Sequence, residues 1–193
     1  MLLSHGHADH LADLPAFLGA DALWRSSPRL LTSHSTIEAT LLDATLPGSV
    51  AIEYVHDGAR VIAEGFEAEF SSTTHQIPTL GVQVTMGSSR VVYSADTGPR
   101  WTFPSTFRDP DIAIVECTFE ERNDVSSLFH LDAREVAELV NGISPSMTLV
   151  THVPPGENGE RRTELVRGLA SDTQVIRAYA GLTIDLRRGM RSL

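Results

Sequence analysis

Short apolar, β-branched runs alternate along the chain with stretches whose apolar residues recur at helical spacing, and this alternation predicts a mixed α/β fold. Strands are predicted over residues 29–32, 50–55, 61–62, 68–71, 81–86, 90–94, 112–117, 148–151, 174–178 and 182–186. Gly87-Ser88, set between two strand patterns, marks a hairpin. A helix is predicted over 11–23, where Pro15 is tolerable only in the first turn. A second, 35–46, is opened by Ser35 and Glu38 at capping-box spacing and stopped by Pro47-Gly48. Asp132 is placed to N-cap a third over 133–142, and 157–169 is the last. No repeat, low-complexity tract or linker breaks the pattern, so one domain over residues 1–193 is expected.

Composition narrows the class. A chain of 193 residues is long enough to bury one substantial core, and its apolar and charged fractions are ordinary for a soluble globular protein. The lone cysteine, Cys117, excludes an internal disulfide framework and fits a reducing compartment. No stretch approaches membrane-spanning length, and the first residues lack the basic-then-apolar character of an export signal, so a cytoplasmic location is expected. The formal charge of −10 disfavours a broad basic surface for long nucleic acid. A small anionic substrate stays compatible with it, because bound cations can reverse the local field.

The chemistry is concentrated at the start of the chain. Ser4-His-Gly-His-Ala-Asp-His10 places His5, His7, Asp9 and His10 within six residues, directly after Leu2-Leu3. Imidazoles and carboxylates cost free energy to bury without partners, and a divalent cation supplies partners for all of them. His5 and His7, two apart at the end of a strand, point the same way, whereas Asp9 and His10 follow in the turn and can aim at a second ion. Three further candidates each fall where a predicted strand gives way to a loop: His75, Asp96 and His152. His5, His7 and His75 suit one metal and Asp9, His10 and His152 the other, with Asp96 bridging through its two oxygens. His34 and His56 lack such context and read as surface or core-edge residues.

With these residues in place, the chain resembles the metallo-β-lactamase superfamily of zinc-dependent hydrolases along nearly its whole length. It is most similar to the ribonuclease Z and phosphodiesterase branch. His75-Gln-Ile-Pro-Thr-Leu-Gly resembles that branch's His-x-x-Pro-x-x-Gly segment, and Tyr93-Ser-Ala-Asp-Thr-Gly-Pro its Tyr-Ser-Gly-Asp-Thr-x-Pro. Glu116-Cys-Thr-Phe and Phe129-His-Leu-Asp-Ala-Arg-Glu-Val-Ala resemble its Glu-Ala-Thr-Phe and His-x-Thr-Ala-Arg-Glu-Ala-Ala pair. The resemblance implies a four-layer αββα sandwich and two Zn2+ ions, with manganese or iron suiting the same donors. It also implies a catalytic set of Asp9, His130 and Glu116. His130 would be an extra, non-ligand histidine that assists on the phosphate side, and Glu116 would orient and charge it.

Two departures from the branch shape the expectation. Ribonuclease Z inserts a long, basic-tipped arm between its third histidine and bridging aspartate, but His75 and Asp96 stand only 21 positions apart. The expected substrate is therefore a small phosphodiester such as a cyclic nucleotide. Ribonuclease Z-type RNA processing, lactone, thioester or sulfate-ester hydrolysis, and an inactive truncated relative stand as alternatives. Second, the branch carries several strands before its His-x-His-x-Asp-His loop, whereas this chain begins at that loop, so N-terminal truncation is expected. The expected partner is a small anionic ester, with no membrane and with a homodimer left open.

Overall fold

A computed structural model describes residues 1–24, 28–40, 46, 48–63, 65–107, 109–122 and 128–186. Its helices are α1 (Ala8–Leu11), α2 (Leu14–Trp24), α3 (His34–Thr40), α4 (Ala133–Asn141) and α5 (Gly159–Leu169). Strands β1 (Arg29–Thr32) and β2 (Ala51–Tyr54) pair in parallel as a small sheet. The other seven form one sheet in chain order: β3 (Arg60–Ala63), β4 (Phe66–Ser72), β5 (Leu80–Met86), β6 (Ser89–Tyr93), β7 (Ile112–Glu116), β8 (Met147–Thr151) and β9 (Gln174–Arg177). Pairing is antiparallel from β3 to β6 and parallel from β6 to β9. The change follows the connections: a two-residue turn at Gly87, whose φ is +63°, joins β5 to β6, whereas α4 and α5 carry two of the three crossovers that parallel neighbours need, from β7 to β8 and from β8 to β9.

Strand alternation sorts the apolar side chains into layers. On one face of the large sheet, Val92, Ala113, Val115, Val150 and Val175 pack against Val136 and Val140 of α4 and Val166 of α5. On the other, Ala68, Phe70, Leu80 and Val82 meet Leu31 of β1 and Val55. The next residue back, Leu30, points away from the large sheet into a cluster with Leu3, Leu14, Leu18 and Ile37, which brings in α2 and α3. The order is helices, large sheet, small sheet, helices, the αββα arrangement expected. Each fully buried Leu or Val in these clusters contributes about 1.5–3 kcal/mol relative to exposure.

Three sequence expectations need correction. Residues 182–186 are not a strand: Gly181 at φ +88° turns the chain, and Leu182, Ile184 and Leu186 lie half-buried over Ile112, Met147 and Leu149. Their alternation covers a sheet face without pairing to it. The helix predicted over 11–23 is divided into α1 and α2 by a turn at Ala12-Asp13, with Pro15 in the first turn of α2. In α3, Ser33 and not Ser35 makes the cap, its Oγ accepting from the backbone N–H of Thr36 at 3.1 Å. Residues 41–45, which complete that predicted helix, lie outside the described residues. The Asp132 cap stands as expected, with a reciprocal bond between its backbone N–H and Glu135.

Candidate metal centre

Every candidate ligand is delivered by the end of a paired segment. Leu3 and Met1 exchange backbone bonds with Leu31 of β1, and Ser4 accepts from Leu80 N–H at 3.1 Å, so the chain leaves both sheets as it enters His5. His7 then N-caps α1, a single helical turn that carries Asp9 and His10, where a non-helical turn was expected. His75 follows β4, Asp96 follows β6 and His152 follows β8. Ala95 and His152 both hold left-handed backbone, at φ +51° and +57°. Such strain costs about 1–3 kcal/mol per residue and persists where the surrounding structure dictates it. Gly98 lets the loop after Asp96 press against the segment before His130, since a Cβ there would meet the Leu128 carbonyl oxygen at 1.9 Å.

These ends bring seven residues together in two groups that share Asp96. In the first, His7 Nδ1 lies 3.2 Å from His5 Nε2 and 3.1 Å from His75 Nε2, and Asp96 Oδ2 lies 3.5 and 3.8 Å from the same two nitrogens. In the second, Asp9 Oδ2 lies 3.5 Å from His10 Nε2 and 3.3 Å from His152 Nε2. Asp96 Oδ1 faces His10 Nε2 at 3.4 Å and its Oδ2 faces His152 Nε2 at 3.4 Å. A tetrahedral ion with ligands at about 2.0–2.1 Å sets its ligand atoms roughly 3.3–3.4 Å apart, so both groups have the spacing of a coordination shell.

Hydrogen bonding independently supports that fit. His10 Nε2 and Asp96 Oδ1 are buried and have no hydrogen-bond partner, a costly state that a cation between them would relieve. His75 Nδ1 must carry its proton to donate to the Phe129 carbonyl at 2.9 Å, which leaves Nε2 as a lone pair facing the group. Burial, reinforced by the neighbouring His10, pushes His5 down to about 3, so it is neutral and able to ligate at pH 7. Burial raises the Asp96 carboxyl, but the imidazoles of His10, His152 and His5 outweigh it and hold the value at about 2.

His130 stands beside both groups, its ring centroid 4.9 Å from that of His75 and 5.3 Å from that of His152. Its Nδ1 lies 3.0 Å from Glu116 Oε1, a carboxylate only 1% exposed. Burial lowers the His130 pKa, but the bond to Glu116 and the charges of Glu116, Asp96 and Asp9 raise it above that of a free imidazole. Arg122 fixes the strap around His130 by donating to its carbonyl and to Glu135. His34 and His56 lie away from the centre: His34 is exposed and pairs with Glu38, and His56 is exposed and bonded to the Asp57 carbonyl. Sequence reasoning missed Thr118, whose hydroxyl lies 2.8 Å from His152 Nδ1 and 2.7 Å from Glu116 Oε2. The available signal was its place in Glu116-Cys-Thr-Phe, where it stands at the threonine of the matched Glu-Ala-Thr-Phe segment. An open cleft beside His152 is lined by Thr151, Arg177 and Tyr179.

Comparison with known proteins agrees with this geometry. The family model described as a beta-lactamase superfamily domain matches residues 1–153. YhfI of Bacillus subtilis (strain 168) is 27% identical over 163 residues, 80% of this chain but 65% of YhfI, so the chain spans less than two thirds of that relative. The crystal structure of YhfI, a metallo-beta-lactamase fold protein, superposes with a TM-score of 0.80 at 23% identity, covering 94% of this chain and 74% of YhfI. A diphosphatase from the PhnP family gives a TM-score of 0.67 at 18% identity, covering 95% and 70%. The short form of human tRNase Z gives 0.59 at 14%, covering 79% and 71%. With the family model matched over most of its length, the chain belongs to the beta-lactamase superfamily.

Proposed function

We propose that this chain is a metal-dependent hydrolase that holds two divalent ions and cleaves phosphodiester bonds in a small anionic substrate, a cyclic nucleotide being the preferred class. The observation that carries this reading is the position of Asp96, whose two oxygens reach donors of both groups, with His130 flanking the pair. His5, His7 and His75 would hold one ion, Asp9, His10 and His152 the other, and Asp96 both. Zinc is the first choice for this set, and manganese and iron also suit His/Asp donors. Such a pair of ions lowers the pKa of water and stabilises charge on the oxygens of an in-line displacement. YhfI is named as a metallo-hydrolase and the PhnP-family neighbour as a diphosphatase, and both names favour hydrolysis over other chemistry.

The chain's own residues divide the remaining work. Asp9, exposed on its outer side, accepts a hydrogen bond from the attacking water. His130, its pKa held up by its bond to Glu116, protonates the departing alkoxide, a role worth about 10²–10⁴-fold. Arg177 offers a cation to a second anionic group of the substrate in the cleft beside His152. Between His75 and Asp96 the chain runs through the β5–β6 hairpin, with no arm for transfer RNA.

The test is hydrolysis by the zinc-loaded protein of bis-p-nitrophenyl phosphate, cyclic nucleotides and short RNA, beside a lactone and thioester panel. Turnover of the phosphodiesters above the panel is expected. Faster lactone or thioester cleavage would replace the substrate class, and two bound ions with no ester turnover would mark an inactive relative.

A further inference from the structure

We infer that Thr118 fixes the His152 imidazole with its proton on Nδ1 and its bare Nε2 turned toward the metal centre, so that one buried carboxylate, Glu116, orients both His130 and His152. The argument is a count of protons. Glu116 receives two backbone N–H groups, Thr97 on Oε1 at 2.9 Å and Thr118 on Oε2 at 3.2 Å. His130 Nδ1 lies 3.0 Å from Oε1 and, more distantly, 3.3 Å from the Thr118 hydroxyl, which itself reaches Oε2 at 2.7 Å. A carboxylate can only accept, so the single hydroxyl proton of Thr118 is spent on Oε2, its shortest contact and a charge-assisted one.

The hydroxyl oxygen then has only lone pairs left to offer. His152 Nδ1 lies 2.8 Å from it, a distance that two facing lone pairs would not hold, so the proton between them belongs to the imidazole. In the neutral ring Nε2 is then the bare nitrogen, 3.3 Å from Asp9 Oδ2 and 3.4 Å from Asp96 Oδ2, where a cation would stand between it and those oxygens. The two rings served by Glu116 lie nearly parallel, at 13°. His75 obtains the same tautomer from a backbone carbonyl, which no substitution removes. His152 depends on a side chain, and Thr118 is therefore a positioning residue for the second ion.

This inference rests on the reading of His152 as a ligand, and the two can fail separately. In long-range 15N–1H spectra of the metal-free protein at pH 8.5, His152 is expected with its proton on Nδ1. In Thr118→Val the signal moves toward the Nε2–H form that an unassisted imidazole prefers, and Thr118→Ser keeps the wild-type form. In competition between Zn2+ and a chelator, Thr118→Val binds its second ion about 10–100-fold more weakly, with the first unchanged, while Thr118→Ser matches wild type. A wild-type His152 protonated on Nε2, or a valine variant that binds the second ion as tightly as wild type, overturns the role of Thr118. A wild-type protein that takes fewer than two ions, with His152 still protonated on Nδ1, overturns the metal reading instead. The wild-type spectrum decides the tautomer even if the valine variant does not fold.

Discussion

His10 Nε2 and Asp96 Oδ1 face each other across 3.4 Å, both buried and neither hydrogen-bonded. Each such atom costs about 1–3 kcal/mol while unsatisfied, so a cation that binds there stabilises the folded chain by mass action. Zn2+ at about 100 times its dissociation constant should add roughly 2.7 kcal/mol per ion to the unfolding free energy. Chelation should reverse the gain, and Asp96→Asn should lose most of it while holding fewer than two ions. Equal urea midpoints with and without zinc would contradict the site.

His130 flanks His75 and His152, and its ring nitrogen lies within 4.8 Å of donors on Asp96 and His152 as well. Replacing it with alanine should leave zinc stoichiometry unchanged and lower turnover of bis-p-nitrophenyl phosphate by about 10²-fold or more. Glu116→Gln should share part of that loss and flatten the pH profile, since the carboxylate is what holds the His130 pKa up. Full activity in His130→Ala would remove it from the mechanism.

Acid should unfold the metal-free protein through the same residues. His5 titrates near 3 when folded against 6.5 when unfolded, and burial also lowers His75, so below pH 6.5 the unfolded chain takes up protons that the folded chain refuses. Asp96 adds to this at lower pH, because its stabilisation is present above 3.8 and lost as pH falls toward 2. The raised values of His10 and His130 act above 6.5, where their contribution is lost as pH rises; burial raises Glu135, which opposes the acid slope only just above 4.5, against the two lowered histidines that act from 6.5 downward. The urea midpoint of the metal-free protein should therefore fall from pH 6.5 to pH 4. A flat or rising midpoint would show that these groups are not buried together.

Arginine usage points to the substrate side of the cleft. Arg29, Arg60, Arg122, Arg161, Arg162 and Arg167 each pair with a glutamate, whereas Arg100, Arg134 and Arg177 have no such partner among the described residues, and of these three Arg177 lines the cleft beside His152. Its guanidinium packs over Gly159, where a Cβ would come within 2.7 Å of Nε and 3.2 Å of Cζ. Arg177→Ala should raise KM for a substrate bearing a second phosphate by about tenfold, the order of one lost charge-assisted bond, with kcat little changed. Unchanged KM would place the anionic group elsewhere.

Much of the centre was legible because its signals are local. Four candidate ligands lie within six residues, and His75, Asp96 and His152 each come shortly after a predicted strand ends. Thr118 stands in the matched Glu116-Cys-Thr-Phe segment, but its role was not legible, because it arises only where β7 and β8 lie side by side and Cys117 N–H bonds to the Thr151 carbonyl, which brings residue 118 against residue 152. The α3 cap was ambiguous in sequence, since Ser33 and Ser35 both stand three residues before a position that can complete a cap, and only the true helix start separates them. Residues 182–186 show how alternation that reads as a strand can instead line the cover of a sheet.

The most direct test of the account is a zinc-loaded crystal structure with anomalous scattering measured at the zinc edge. Two peaks are expected, about 3.5–4 Å apart, one against His5, His7 and His75 and the other against Asp9, His10 and His152, with Asp96 touching both. A single peak, or two peaks that Asp96 does not join, would contradict the dinuclear centre on which the proposed hydrolysis depends.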